Sequence, residues 1–197
     1  MSLNDFDYQL FQWMNQCAGL FPAFNPVMRF LAQDAEYFFF LGVIVYWFTR
    51  RSENRRMVAE ALLSACVSLA ISGILGHFFY RDRPFVTHHV LQLIVHPANA
   101  SFPSDHATGA FVIATAIWLF RRKAGRVWLA LAACIAISRV WTGVHYPADV
   151  LAGALLGTST AVCVHQWLKR STWLSACIEL YEKIEAKVWP RSQQRSY

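Results

Sequence analysis

The chain is short of charge. Asp, Glu, Lys and Arg make up 15% of its 197 residues, against about 25% in an ordinary soluble domain. Hydrophobic residues reach 56% and mean hydropathy is +0.30, so a membrane protein is indicated and a large soluble core is disfavoured. A CxxC pair is missing too. Cys17, Cys66, Cys134, Cys163 and Cys177 are scattered, and the three inside apolar runs read as small buried hydrophobes. Lys and Arg are absent from the first 24 residues, which carry Asp5 and Asp7 instead. A cleavable leader needs a positive start, so none is expected. Internal repeats and low-complexity tracts are also lacking. The net charge of +6 is not spread along one face, as nucleic-acid binding would require. It clusters at the ends of apolar runs, and no nucleic-acid partner is expected.

Five apolar stretches are present, at about 26–48, 57–80, 104–120, 126–143 and 147–168. Spanning a ~30 Å hydrocarbon core takes about 20 helical residues. The fold class that follows is all-α: a polytopic membrane bundle of about five transmembrane helices, with interfacial helices at both ends. The expected organisation is an interfacial segment over 1–24, a membrane domain over 25–170, and an amphipathic helix with a tail over 171–197. In 172–189, Leu174, Cys177, Tyr181, Ile184 and Val188 recur at helical spacing, which suits an inner-leaflet surface or a partner. The tail at 190–197 is expected to be disordered.

The connections "TRRSENRR", "RRKAGR" and the "KR" at 169–170 are short and basic. Positive loops stay in the cytoplasm, and alternation puts all three on that side. The connections 81–103 and 144–146 then lie outside. They bring together three clusters: "YRDRPF" (80–85), "PSDH" (103–106) and "SRVWTGVHYPAD" (138–149).

Ser104 is a candidate N-cap, and the helix end behind it is a ready anion site. His106 can do acid–base work near neutrality. Arg139 at membrane depth needs a partner, and its fork matches two phosphate oxygens. Asp149, four residues after His145, can reach the imidazole and fix its tautomer. A His oriented this way can be a base, a metal ligand or a nucleophile. Arg83 precedes Pro84, which should stop the second long helix, with Arg81 and Asp82 beside it. Two arginines, a helix N-terminus, two histidines and an orienting carboxylate together fit phosphoryl transfer. Glu36 could pair with an active-site arginine or with Arg29, and the structural pairing with Arg29 is favoured. His88, His89 and His96 add enough ligands for zinc, but the arginines repel a cation, and neither metal nor cofactor is expected.

These residues resemble the type-2 phosphatidic acid phosphatase superfamily of integral membrane lipid phosphatases. Its Pro-Ser-Gly-His motif is matched by Pro103, Ser104, Asp105 and His106. Its Ser-Arg…His…Asp motif is matched by Ser138, Arg139, His145 and Asp149. Of its first motif Arg83 and Pro84 are present, while the Lys position is Gly76, with His77 and Arg81 as neighbouring cations. The wording "RPF…SFPSDH" is similar to bacterial undecaprenyl pyrophosphate phosphatases linked to bacitracin resistance.

The resemblance implies that His145 attacks phosphorus to give a phosphohistidine, with Asp149 holding it. It implies that His106 protonates the leaving group and then activates water. Arg83, Arg139, Ser104 and the Asp105 N–H would bind phosphate, with Arg81, Ser138 and Glu36 as accessory positions. The Asp105 side chain would repel phosphate if it pointed inward. The substrate implied is an isoprenoid pyrophosphate lipid, with membrane lipids around it and no obligatory protein partner. The setting is a bacterial inner membrane, with the site on the outer face and the C-terminus cytoplasmic. Alternatives are a phosphatase for another lipid, such as phosphatidylglycerol phosphate or phosphatidic acid, and a metal-binding or transport protein. Vanadate-dependent haloperoxidases use a similar pocket, but membrane spans argue against them, and a purely lipid-binding role would leave His145 idle.

Overall fold

The computed structural model describes residues 2–188, so the tail expected at 190–197 lies outside the described residues. Nine α-helices and one short 3-10 turn (Pro22–Phe24) form among them. They are α1 (Leu3–Leu20), α2 (Asn25–Gln33), α3 (Glu36–Phe48), α4 (Ser52–Phe78), α5 (Pro84–Thr87), α6 (Asp105–Phe120), α7 (Arg122–Trp141), α8 (Pro147–Lys169) and α9 (Trp173–Val188). By length and composition α4, α7 and α8 can each cross a membrane, and α3 and α6 are shorter apolar helices. The all-α membrane bundle is therefore as expected.

The stretch 26–48 is not one helix. The chain turns at Asp34 and Ala35, where Ala35 N donates to Phe30 O (3.1 Å) and Tyr37 N to Asp34 O (3.0 Å). The cause is composition. The first half carries Arg29, Gln33 and Asp34 and buries only Ala32, so it folds as a separate surface helix, α2. The unbroken apolar run from Tyr37 to Phe48 forms α3. The basic "RRKAGR" connection shrinks in turn, because α7 already begins at Arg122.

Packing follows small residues. Ser64, Ser68, Ser72 and Gly76 recur every four residues on α4 and are all buried. Lipid gives helices no hydrophobic reason to associate, so close backbone approach supplies the packing. Such an approach joins α6 and α8. A Cβ on Gly153 would lie 2.6 Å from Ser104 O, and one on Gly157 would lie 2.4 Å from Thr108 O. Both neighbours are backbone, so any side chain there would drive the two helices apart. Below this contact, Phe39, Met57, Ile113, Ile117 and Ile135 fill the bundle core. Outward, Phe40 and Leu41 on α3, Leu62 and Leu69 on α4, and Leu151 and Leu155 on α8 stay exposed, an apolar belt suited to lipid.

The two ends of the bundle differ. One end gathers the basic connections. Arg121 Nε donates to Asn54 Oδ1 (2.8 Å) and Arg56 Nη2 to Leu168 O (2.9 Å). There α9 docks on the start of α4, where Arg55 pairs with Glu182 (3.2 Å) and Glu185 (2.5 Å). Leu174 and Ile178 are buried against Val164 and Leu168, while Leu180, Ile184 and Val188 stay exposed. The other end carries α1, which does more than lie on a surface. Phe11 packs with Val140, Tyr146 and Val150. Asn15 Nδ2 donates to Leu91 O (2.9 Å) and Trp141 O (3.0 Å). The segment 81–104 is thereby held over the ends of α7 and α8, with Leu93 N also bonded to Thr142 O (3.1 Å).

Candidate active site

All three sequence clusters meet at the α1 end. The start of α8 sets the first half of the site. Pro147 occupies its first turn, where a missing N–H costs nothing. Asp149 Oδ2 accepts from Tyr146 N at 2.9 Å, which fixes the carboxylate at the helix start. The same oxygen accepts from Ser101 Oγ at 2.5 Å and lies 3.5 Å from His145 Nδ1. Asp149 Oδ1 faces Arg81 Nη1 at 3.1 Å. Asp149 is wholly buried and His145 is 1% exposed.

The other edge of His145 faces Arg83, whose Nη1 lies 2.9 Å from Nε2. A guanidinium can only donate, so Nε2 must be the unprotonated acceptor and Nδ1 carries the proton toward Asp149. Burial pushes the His145 pKa down to about 4; the bond to Asp149 opposes this, and the charges of Arg139 and Arg83 add to it. At neutral pH the ring is therefore neutral, with a lone pair on Nε2. Arg83 is anchored on every side. It donates to Val144 O (3.0 Å), Ala100 O (3.1 Å) and Asn99 Oδ1 (3.0 Å), and burial lowers its pKa.

The second half comes from α6 and α7. Ser104 N donates to Asp149 O at 3.0 Å, so the start of α6 is tied directly to α8. Ser104 occupies the N-cap position without a side-chain cap bond, and its buried Oγ has no partner. Ser104 is thus at the expected N-cap position, with its hydroxyl not used for capping. Arg139 is 1% exposed. Its Nη1 donates to Ala32 O at 2.6 Å, but its buried Nε and Nη2 have no partner. Unmatched buried donors each cost about 1–3 kcal/mol, and three of them here await an acceptor.

His106 Nε2 lies 3.5 Å from Glu36 Oε2, and His106 is within electrostatic reach of Arg139, His145, His96 and Arg83. The favoured pairing of Glu36 with Arg29 is thus corrected: the break at Asp34 starts α3 at Glu36, and the Glu36 carboxylate meets His106. Asp105 turns aside, its Oδ1 accepting from Ser72 Oγ on α4 at 2.6 Å. Ser138 Oγ bonds back to Ile135 O within its own helix (2.7 Å).

Of the two cations beside Gly76, His77 is exposed and packs on Phe78. Arg81 reaches the site from behind. It pairs with Asp7 (2.7 Å) as well as Asp149, and lies 3.7 Å over the Tyr146 ring. A Cβ at Gly76 would come within 3.2 Å of Phe102 O, so the family's Lys would not fit there without a shift.

Sequence reasoning passed over Ser101, Asn99 and Asp7. Ser101 stands in the quoted "SFPSDH", but no spacing rule turns its hydroxyl to Asp149. Asp7 accepts from Ala148 N at 2.9 Å and so caps α8 from α1. His96 was noted and proves close, with its ring 6.2 Å from that of His145. Its Nδ1 donates to Pro97 O (3.0 Å), and burial lowers its pKa. His88 stacks on Tyr8 at 4.0 Å and His89 is exposed. Among the described residues no group of three or more His, Cys, Asp or Glu could hold a metal ion.

Comparison with known proteins gives a consistent outcome. The chain is 40% identical over 191 residues to the bacitracin transport permease protein BcrC of Bacillus licheniformis, covering 96% of this chain and 94% of that one. It is 32% identical over 145 residues to the undecaprenyl-diphosphatase BcrC of Bacillus subtilis, covering 74% and 75%. The crystal structure of Aquifex aeolicus LpxE superposes with a TM-score of 0.72 at 24% identity, over 84% of this chain and 99% of that one, a likeness of fold. The family model of the PAP2 superfamily matches residues 57–173, which hold every motif residue from Arg83 to Asp149, and the chain belongs to the PAP2 superfamily.

Proposed function

We propose that the chain hydrolyses undecaprenyl pyrophosphate to undecaprenyl phosphate and inorganic phosphate through a phosphohistidine. One observation carries the reading: Ser104 Oγ and Arg139 Nε and Nη2 are buried donors without acceptors, Ser104 N is bonded to Asp149 O, and Arg139 is within electrostatic reach of His145, whose Nε2 bears a lone pair. A phosphate group supplies the acceptors and an electrophile at once.

In the first step the Nε2 lone pair forms a bond to the terminal phosphorus. The bond from that phosphorus to the bridging oxygen breaks, and His106, protonated from solvent once the anionic pyrophosphate is bound beside it, gives that proton to the departing lipid phosphate. Arg83 must leave Nε2 as this happens, and its Nη1–H passes to a phosphate oxygen. Asp149 stabilises the positive phosphorylated ring through Nδ1–H. In the second step His106 takes a proton from water, the water oxygen bonds to phosphorus, and the N–P bond breaks to release phosphate. Glu36, 3.5 Å from His106, orients that ring. Arg81 balances the Asp149 charge without touching phosphate.

The name of the B. subtilis relative, undecaprenyl-diphosphatase, supports the substrate. The B. licheniformis relative is named as a permease, but here the bundle beneath the site is filled by Phe39, Met57, Ile113 and Ile117, which favours chemistry over passage. The charge distribution supports the sidedness. Arg50, Arg51, Arg55, Arg56, Arg121, Arg122, Lys123, Arg126, Lys169 and Arg170 lie at the end opposite the site. Positive loops stay inside, which supports a site on the outer face of a bacterial inner membrane and a C-terminus in the cytoplasm.

The test is phosphate release from undecaprenyl pyrophosphate by the wild type and by His145→Ala. Loss of turnover with insertion and folding kept is expected. Near-normal turnover in His145→Ala sinks the mechanism. A lipid panel that favours phosphatidylglycerol phosphate or phosphatidic acid removes the undecaprenyl assignment.

A further inference from the structure

We infer that Asp7 on α1 is a positioning residue for the nucleophile: it holds Arg81 partly off Asp149 and so keeps a net negative charge behind His145. This rests on the phosphatase reading above. Asp7, Phe11 and Asn15 follow one another at intervals of four on α1 and are all buried, so one face of α1 lies against the site. None of the three motif clusters includes α1. Asp7 Oδ1 accepts from Ala148 N at 2.9 Å. Asp7 Oδ2 lies 2.7 Å from Arg81 Nη2 but accepts no aligned hydrogen bond, so it meets the guanidinium as a charge.

Arg81 is shared between two carboxylates. Its Nη2 faces Asp7, its Nη1 faces Asp149 Oδ1 at 3.1 Å, and the Tyr146 ring lies 3.7 Å away across its face. The backbone beneath it is tied to the same group: Ser101 N donates to Arg81 O at 2.8 Å, and Ser101 Oγ donates to Asp149. Among the described residues Asp7 bonds only Ala148 N and pairs only with Arg81, so any effect it has on His145 passes through that arginine.

Capping alone does not explain a charge at this position. An Asn would offer the Ala148 N–H the same acceptor, and burying a carboxylate is costly unless it is paired. The proposed chemistry does explain it. Arg81 and Asp149 alone would cancel, and the ring that turns positive on phosphorylation would find no net counter-charge behind it. With Asp7 the row runs negative, positive, negative, and one negative charge remains. Arg83 stands at the opposite edge of the ring, toward the phosphate, so Asp7 acts on the charge of the ring and leaves the phosphate donors alone.

The experiment compares Asp7→Asn, Asp7→Glu and Asp5→Asn with the wild type, as full chains in detergent, by phosphate release from undecaprenyl pyrophosphate and by thermal unfolding. Asn keeps the acceptor for Ala148 N and loses the charge, whereas Glu keeps the charge. Asp5, exposed on the same helix and bonded to Ser2 N, controls for charge on α1. Asp7→Asn should lower kcat about tenfold with KM within about twofold and a melting point within a few degrees of the wild type. Asp7→Glu should keep kcat within about threefold, and Asp5→Asn should change nothing. In an Arg81→Met background Asp7→Asn should cost less than about twofold, because no guanidinium remains to close on Asp149. Wild-type kcat in Asp7→Asn overturns the assignment, as does an equal loss in the Asn and Glu variants, a rise in KM alone, or a loss undiminished without Arg81. The Asn and Glu comparison decides by itself if Arg81→Met does not fold. A wild type that releases no phosphate overturns the phosphatase reading and this assignment with it, whereas an active wild type with an unaffected Asp7→Asn overturns this assignment alone.

Discussion

Replacing Arg139 by Met separates what the guanidinium does for the fold from what it does for a ligand. The substitution loses the bond from Nη1 to Ala32 O (2.6 Å), and a carbonyl left unmatched costs about 1–3 kcal/mol. It also removes two buried N–H donors with no partner, Nε and Nη2, each of which costs the resting protein a similar amount. The sum is near zero or slightly favourable, so the ligand-free variant should melt within a few degrees of the wild type or above it. Activity should behave in the opposite way. Two charge-assisted bonds to a phosphate, at about 1.5–3 kcal/mol each, correspond to a loss of about 10²–10⁴ in kcat/KM. Orthovanadate, which mimics pentacoordinate phosphorus, gives the decisive reading. At a hundred times its Kd it should stabilise the wild type by about 2.7 kcal/mol and the variant far less. The assay is thermal unfolding in detergent with and without vanadate, alongside phosphate release. An apo melting point that collapses in Arg139→Met would make the arginine a structural residue. A vanadate shift that survives the substitution would equally refute the anion site.

Two further predictions concern His145. Its pKa is pushed down to about 4 from about 6.5 in an unfolded chain, so below pH 6.5 the unfolded state binds the extra proton first. Stability from this group is complete above pH 6.5 and declines as pH falls through 4, by about 3 kcal/mol in all; unfolding measured over that range should lose this slope in His145→Gln, and an unchanged slope refutes the assignment. Ser101→Ala removes the 2.5 Å donor to Asp149 Oδ2; kcat should fall about tenfold or more with KM little changed, and a rise in KM alone would place Ser101 on the substrate instead.

The residues legible in the sequence are those whose relation is local. His145 and Asp149 are four apart across a helix start, and the geometry of one turn brings them together. Ser104 sits where proline and an apolar run meet, which marks a helix N-terminus without any tertiary knowledge. The common face of the three clusters followed from counting spans and from basic loops. The contacts that could not be read join distant stretches. Ser101 to Asp149, Arg83 to His145 and Asp7 to Ala148 depend on how the long segment 81–104 folds over the bundle and on where α1 lands. Periodicity carries neither. The break at Asp34 was visible as charge in the first span, yet length alone favoured one helix. The Asp105 side chain, set where the family has glycine, is answered only by Ser72 across the α4–α6 seam.

The two histidines are held in opposite ways, and the difference matches their proposed tasks. Asp149 is wholly buried and gathers Tyr146 N, Ser101 Oγ, Arg81 and His145 on its two oxygens. A ring gripped so firmly keeps one tautomer and one aim, as a nucleophile must when a 1 Å misplacement can cost about a hundredfold. Glu36 is on a different helix from His106, its side chain is 38% exposed, and the two meet at 3.5 Å. In the proposed mechanism His106 gives a proton to the leaving group and later takes one from water, a task that calls for room to turn and access to solvent. The tight pair was written into one helical turn, and the loose pair was left to the meeting of α3 and α6.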